Sequence, residues 1–250
     1  MKPFLILQAR PETDAADDEY GAFLAKGGLR AEQTHRIRLD QQDIPYDLSL
    51  DEYSGVIVGG GPGCVSDLGV AKSPVEKRIE TSALGLMPEI TKRDFPFMGC
   101  CYGIGILAHH LGADVSKEKY GENVGAVNCT TTAQGENDPI LQDVPTEFLA
   151  FVGHKEAAQN LPDGCVHLVS SSTCPYQMIR FKQNVYATQF HPEADSAGFA
   201  ARVEIYKHRG YFPPDEAENL IAMCHAQQVD MPERILRNFV NVYGLPNRNG

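Results

Sequence analysis

Short apolar runs alternate with amphipathic stretches along much of the chain. Residues 4–7, 55–58 and 95–98 have the length and composition of buried strands, and residues at helical spacing follow the first and the third. Before the third run, residues 73–76 read Ser-Pro-Val-Glu, which is typical of a helix start. The pattern predicts an α/β fold: an open, mostly parallel, doubly wound sheet of flavodoxin-like type with helices on both faces.

The pattern changes in the second half of the chain. Residues 125–185 contain short strand-like segments separated by turns, which favours antiparallel structure. Two stretches with apolar residues at helical spacing follow, at 217–224 and 236–243. We therefore expect a main domain over residues 1–195 and a helical C-terminal extension over residues 196–250, packed on the same domain.

Composition and charge narrow the class of function. A chain of 250 residues, 42% of them hydrophobic, can bury a full core, and its net charge of -11 would repel phosphate backbones and anionic lipids. The chain has neither a signal-peptide pattern nor an apolar run of about 18 residues, so we expect a cytoplasmic protein that binds neither nucleic acid nor membrane. The seven cysteines are scattered and odd in number, which indicates reduced thiols. No C-x-x-C pair or paired histidine spacing is present, so we expect no metal and no cofactor.

Residues 99–103, Gly-Cys-Cys-Tyr-Gly, have the G-x-C-x-G spacing of a nucleophile elbow between a strand and a helix. The glycines would relieve crowding around Cys101, and the following helix N-terminus would favour its thiolate. Cys100 should instead point back toward the sheet and pack. The alternative is that Cys101 is an inert buried cysteine, because free cysteine is among the most buried residue types and a nucleophile also needs a base.

A candidate base follows the predicted strand at 186–190. His191 stands where that strand leaves the sheet, and strand ends are where α/β enzymes hold reacting groups. Glu193 is close enough along the chain to accept a hydrogen bond from the imidazole and to stabilise its cation. A lone histidine is more often structural, so this interpretation depends on its combination with Cys101.

Residues 59–63, Gly-Gly-Gly-Pro-Gly, can bring backbone N–H groups close to a substrate carbonyl, as an oxyanion hole requires. Glycine loops also bind phosphates. Here Pro62 and the sequence Cys-Val-Ser at 64–66 stand in place of the Walker lysine and hydroxyl or the dinucleotide pattern. The oxyanion interpretation is therefore favoured.

The glycine loop, the elbow and the sequence Gln-Phe-His-Pro-Glu at 189–193 together resemble the class I glutamine amidotransferases, in particular the GMP-synthase-like ones, over roughly residues 1–195. The resemblance implies a glutaminase in which Cys101 attacks the side-chain amide and forms a γ-glutamyl thioester. It implies that His191 protonates the departing ammonia and that Glu193 orients His191. It also implies that the backbone N–H groups of Gly61 and Tyr102 hold the oxyanion.

The family motif usually runs G-x-C-x-G-x-Q, and this chain has Gly105 at the last position. Two substrates therefore stay open, namely free glutamine and a γ-glutamyl peptide or other γ-glutamyl amide. By resemblance, Gly60, Gly105 and His154 are candidate substrate-binding residues. The segment Gly-His-Lys-Glu at 153–156 stands where relatives carry a substrate loop, although a solvated charged turn explains its sequence equally well.

Three functions follow from the resemblance. The leading hypothesis is a glutaminase that delivers ammonia to an acceptor synthase in a separate chain, since 250 residues leave no room for a synthase domain. The second is a stand-alone γ-glutamyl hydrolase that needs no partner. The third is a non-catalytic binding protein on the same scaffold, which the presence of Cys101, His191 and Glu193 argues against.

Overall fold

The computed structural model describes residues 2–244. Its strands are β1 (Phe4–Gln8), β2 (Thr34–Arg38), β3 (Gly55–Val58), β4 (Phe97–Cys100), β5 (Val115–Ser116), β6 (Glu122–Thr131), β7 (Glu147–His154), β8 (Ala157–Ala158), β9 (Cys165–Ser171), β10 (Met178–Phe181) and β11 (Val185–Thr188). Its α-helices are α1 (Thr13–Gly27), α2 (Pro74–Arg93), α3 (Tyr102–His110), α4 (Ser196–Tyr206), α5 (Ala217–Ala226) and α6 (Pro232–Gly244).

One large sheet organises the chain, with the strand order β2-β1-β3-β4-β11-β10-β9-β6-β7. The strands from β2 to β11 pair in parallel, and those from β11 to β7 pair antiparallel. The expected doubly wound α/β sheet is confirmed, and the region expected to be antiparallel supplies the far half of the same sheet. The sheet is thus mixed.

Helices cover both faces because side chains alternate along the strands. Leu5 and Leu7 face the hydrophobic cluster that contains α2 and α3, whereas Phe4 and Ile6 face the cluster that contains α1 and α6. The ring centroid of Phe239 in α6 lies 6.1 Å from that of Phe4. The last helix is therefore part of the main core.

The start of α2 is formed by the residues that the sequence predicts. Ser73 Oγ accepts from the Glu76 backbone N–H at 3.2 Å, and Glu76 Oε2 accepts from the Ser73 N–H at 2.7 Å, so a capping box begins α2. Gly28, with φ of 69°, adopts the left-handed conformation that ends α1.

The C-terminal part contains a helix that the periodicity did not reveal. Besides α5 and α6, the structure has α4, whose Phe199 and Val203 pack with Phe151 of β7 and Ala217 of α5 in a third cluster. The division at residue 195 stays a prediction. Within residues 2–244, no helix is both long and apolar enough to cross a bilayer.

Candidate active site

Cys101 stands alone between β4 and α3 with φ of 52° and ψ of -92°, a sharp turn that few side-chain-bearing residues adopt. A Cβ on Gly99 would lie 2.6 Å from the carbonyl carbon of Gly103, so the two glycines allow the backbone to close on itself. Cys100 is fully buried, and burial raises the pKa of its thiol well above the ordinary value. The elbow thus presents one cysteine and packs the other.

Parallel pairing brings the histidine to this turn. Thr188 of β11 is paired with Cys100 of β4, and its carbonyl accepts from the Cys101 N–H at 2.8 Å. His191 follows three residues later, and its N–H donates to the Phe151 carbonyl at 3.1 Å. The ends of β4 and β11 therefore hold both groups at one sheet edge.

His191 and Glu193 belong to a buried chain of charged groups that ends on an arginine. His191 Nδ1 lies 2.9 Å from Glu193 Oε1, and Arg202 Nη1 of α4 donates to the same oxygen at 2.6 Å. Glu193 is fully buried, and His191 and Arg202 are at most 5% exposed. With Nδ1 donating to the carboxylate, Nε2 is left to exchange a proton with another group.

The charges of His191, Glu193 and Arg202 stabilise one another. Burial acts to lower the pKa of His191, but the Glu193 carboxylate and Cys101 raise it to about 9. Burial acts to raise the pKa of Glu193, and the cations of His191 and Arg202 hold it well below its usual range. The arrangement favours an imidazolium beside a carboxylate and within reach of a thiol.

A second buried ion pair supports the histidine from the other side. Glu19 Oε1 accepts from Arg10 Nε at 2.7 Å and from the Gly60 N–H at 3.0 Å, and Arg10 Nη1 donates to the Tyr206 hydroxyl at 3.2 Å. A Cβ on Gly60 would lie 2.9 Å from His191 Cε1. Gly60 is thus packed between the ion pair and the imidazole, and it lines neither of the two pockets that meet at Cys101.

These two pockets share part of their walls. We name the first the His191 pocket, about 450 Å³ with its open mouth, and the second the Glu156 pocket, about 360 Å³. Both are lined by Gly61, Cys101, Gly153 and Tyr211. The His191 pocket is completed by Arg10, Val124, His191, Phe199, Arg202, Val203, Tyr206 and Phe212. The Glu156 pocket is completed by Pro62, Gly63, Cys64, Tyr102, Gly105, His154, Lys155, Glu156 and Gln189.

Glu156 is a buried carboxylate at the wall of its pocket. Its Oε1 accepts from the Val65 N–H at 2.7 Å, and its Oε2 accepts from the Ser66 N–H at 2.9 Å and hydroxyl at 2.6 Å. A Cβ on Gly105 would lie 3.2 Å from Glu156 Oε1. The solvated charged turn considered for residues 153–156 is therefore wrong for Glu156, which is only 8% exposed.

The structure gathers most of the sequence-predicted residues around Cys101. Gly61 lines both pockets, and Tyr102, Gly105 and His154 line the Glu156 pocket. A Cβ on Gly61 would lie 2.8 Å from the Ala9 carbonyl oxygen, so only glycine fits that close approach. The roles of these residues in binding stay predictions.

One group within residues 2–244 has the donor set of a metal site: Glu122, His154 and Cys174, whose ligand atoms lie within 4.8 Å of one another. Glu122 already accepts hydrogen bonds from Ser171, Thr173 and Gln177. His154 Nε2 lies 2.9 Å from the Tyr120 carbonyl. The carboxylate is therefore satisfied by neutral donors.

Sequence reasoning missed the charged partners of the site. Arg10 follows the end of β1 by two residues. Its position at the carboxyl edge of the sheet could therefore have identified it as a site residue. Arg202 and Tyr206 are four residues apart and share a face of α4. Their signal depended on a helix that was not predicted.

The chain is similar to known proteins over most of its length. Residues 23–203 match the family model described as glutamine amidotransferase class-I. A glutamine-hydrolyzing GMP synthase subunit of Thermoplasma volcanium is 28% identical over 208 residues, 81% of this chain and 87% of that protein. The GMP synthase of Thermosipho africanus is 28% identical over 166 residues, 64% of this chain, and the match spans only 29% of that enzyme.

Solved structures agree on the fold. A glutamine amidotransferase of Thermotoga maritima superposes with a TM-score of 0.74 at 18% identity, covering 97% of this chain and 98% of that one. A glutamine amidotransferase of Methylobacillus flagellatus gives 0.70 at 18% identity, covering 100% and 98%. The family model covers well over half of the sequence, and the chain therefore belongs to the class-I glutamine amidotransferases, a family of enzymes.

Proposed function

We propose that this protein hydrolyses a γ-glutamyl amide through Cys101, His191 and Glu193, with free glutamine as the leading substrate. The observation that carries the proposal is the thiol at a strained elbow, next to an imidazole that is held by a buried carboxylate. A nucleophile, a base and an orienting group in this arrangement are what amide hydrolysis requires.

The reaction proceeds in two steps. In the first, Cys101 Sγ bonds to the amide carbon, the oxyanion is held by the N–H groups of Gly61 and Tyr102, and the C–N bond breaks as His191 gives its proton to the leaving amine. In the second, water adds to the γ-glutamyl thioester, His191 takes the proton of the water, and the thiolate leaves as glutamate forms. Glu193 keeps the imidazole oriented and stabilises its cation throughout.

The two pockets support a direction for the substrate. His191 lines only the His191 pocket, and the leaving amine must lie beside the group that protonates it. The glutamyl part then occupies the Glu156 pocket, where the Glu156 carboxylate matches its α-ammonium and Lys155 matches its α-carboxylate.

The test is glutamate release from L-glutamine, together with mass-spectrometric labelling by a glutamine-like chloroketone. Cys101→Ala should abolish both, and Cys165→Ala, a half-buried thiol in β9, should retain both and serves as the control. If the wild-type protein neither turns over glutamine or γ-glutamyl amides nor is labelled at Cys101, the enzyme proposal fails and a non-catalytic binding role is favoured.

The fate of the ammonia is a second part of the proposal. The Thermoplasma volcanium relative is named as one subunit of a glutamine-hydrolyzing GMP synthase, which supports an acceptor synthase in a separate chain. Such a partner should co-purify with this protein and raise its glutaminase rate. A stand-alone γ-glutamyl hydrolase is the second candidate, and the observation that favours it is the size of the His191 pocket.

A further inference from the structure

We propose that the His191 pocket is a leaving-group subsite for an amine that carries a carboxylate and an apolar side chain. Beside the glutamine of the proposed function, the substrate class then includes γ-glutamyl amino acids and short γ-glutamyl peptides of the same chemistry. This inference rests on the proposed function, because it uses the same thioester reaction and the same direction of binding.

The pocket is too large for ammonia alone. About 50 Å³ of the pocket can hold the centre of a water-sized sphere, whereas roughly 10–15 Å³ of such space is enough for one water, which is about the size of ammonia. Its position on the His191 side of Cys101 is where the departing amine must lie. The pocket therefore has room for a leaving group larger than ammonia.

A buried guanidinium supplies the anion-binding group. Arg202 lines the pocket and is 5% exposed. Its Nη1 is bound to Glu193, but Nε and Nη2 have no hydrogen-bond partner among the described residues, although Asp18 Oδ2 lies 3.5 Å from Nε. An unpaired buried donor is costly, and a guanidinium binds a carboxylate with its remaining N–H groups.

The rest of the wall is largely apolar. Phe199 and Val203 of α4 line it, together with Phe212 in the segment that follows α4. Tyr206 and Tyr211 add aromatic surface, with ring centroids 5.5 Å apart. A carboxylate on Arg202 and an apolar group against these rings would satisfy both parts of the pocket.

The reaction of such a substrate balances as before. Cys101 Sγ bonds to the γ-carbonyl carbon, the amide C–N bond breaks, and the proton of His191 goes to the α-amine of the departing amino acid. Water then releases glutamate from the thioester. The products are glutamate and a free amino acid in place of ammonia.

The test compares two substrates that differ only in the carboxylate, γ-glutamyl-phenylalanine and γ-glutamyl-phenethylamide. Wild-type kcat/KM should favour the first by about 10- to 100-fold, the usual value of a hydrogen bond to a charged group. Arg202→Gln should bring this ratio close to one, even though both rates fall because Arg202 also holds Glu193. Arg234→Gln, at an exposed arginine of α6, should leave the ratio unchanged.

The outcomes separate this inference from the proposed function. A wild-type ratio near one, or a ratio that persists in Arg202→Gln, overturns the carboxylate subsite, while turnover of glutamine and labelling of Cys101 leave the proposed function intact. No glutamate from any of the three substrates and no labelling overturn both. The wild-type ratio needs no variant, so a poorly folded Arg202→Gln does not remove the test.

Discussion

A Cβ on Gly105 would lie 3.2 Å from Glu156 Oε1, closer than ordinary van der Waals contact. The resemblance to the family motif leads one to expect a glutamine at position 105, and here a carboxylate from another loop lies against Gly105 instead. The absence of a side chain at Gly105 thus leaves space for the carboxylate of Glu156. The Glu156 pocket therefore has a buried carboxylate in its wall, although it lacks the expected amide.

Glu156→Gln should reduce recognition of the substrate α-ammonium, because it removes the negative charge at the pocket wall. Wild-type protein should prefer glutamine to its des-amino analogue glutaramate, and the variant should lose about 10- to 100-fold of that preference. The measurement is kcat/KM for both compounds. Glu118→Gln, at an exposed position, is the control. An unchanged preference would show that Glu156 only stabilises the loop at residues 65 and 66 and does not bind the substrate.

Gly99→Ala should destabilise the elbow and abolish glutamate release, because the new Cβ would lie 2.6 Å from the Gly103 backbone. Gly85→Ala is the matched control, since nothing lies within 4 Å of its Cβ in α2. That change should stabilise the protein by about 0.5–1 kcal/mol and keep activity. Urea unfolding and a glutaminase assay check both variants. A fully active Gly99→Ala would contradict the close approach.

Glu193→Gln should move the alkaline limb of kcat/KM to lower pH. The Glu193 carboxylate helps to raise the pKa of His191 from 6.5 to about 9. Because glutamine at position 193 carries no charge, the imidazole should lose its proton at a lower pH in the variant. The amide keeps an oxygen for Arg202, which preserves much of the geometry. A pH profile with an unmoved alkaline limb would rule out His191 as the proton donor that this limb reports.

The same shift has a consequence for stability. The folded pKa of His191 is raised, so its contribution is complete below pH 6.5 and is lost as pH rises through about 9. The free energy of unfolding of the wild-type protein should therefore fall across this window more steeply than that of His191→Gln. Urea melts at pH 6, 7.5 and 9 would check the difference, and parallel curves would contradict it.

Glu19→Ala should cost about 3–5 kcal/mol of stability, because it leaves the guanidinium of Arg10 buried without its carboxylate. Adding Arg10→Met removes the unpaired charge, so the double variant should be more stable than the single one. Urea unfolding measures both. If the second change destabilises further, Arg10 finds another partner in the variant.

The parts of the site that the sequence predicts are those whose signals are local. Gly99 and Gly103 stand two residues on either side of Cys101, and Glu193 stands two residues after His191, so each spacing appears in a short window. Strand order then brings these windows together, as parallel strands in α/β proteins do.

The parts that were missed depend on contacts between distant segments. Arg202 meets Glu193 through a helix with a weak amphipathic pattern, and Glu156 is bound by the backbone N–H groups of residues 65 and 66, about 90 positions earlier in the chain. Strand β2, Thr-His-Arg-Ile-Arg, was missed because it is an edge strand whose charged side chains stay partly exposed. Whether such a side chain is buried or exposed depends on the tertiary structure and cannot be read from a short window of sequence.

Half of the His191 pocket comes from α4 and the short segment after it, whereas Cys101 and His191 stand at strand ends. If the leaving group binds in this pocket as we propose, its choice and the bond-breaking chemistry are encoded in largely separate stretches of the chain. Substitutions in residues 199–212 could therefore change the preferred leaving group without changing the nucleophile, provided that Arg202 stays beside Glu193.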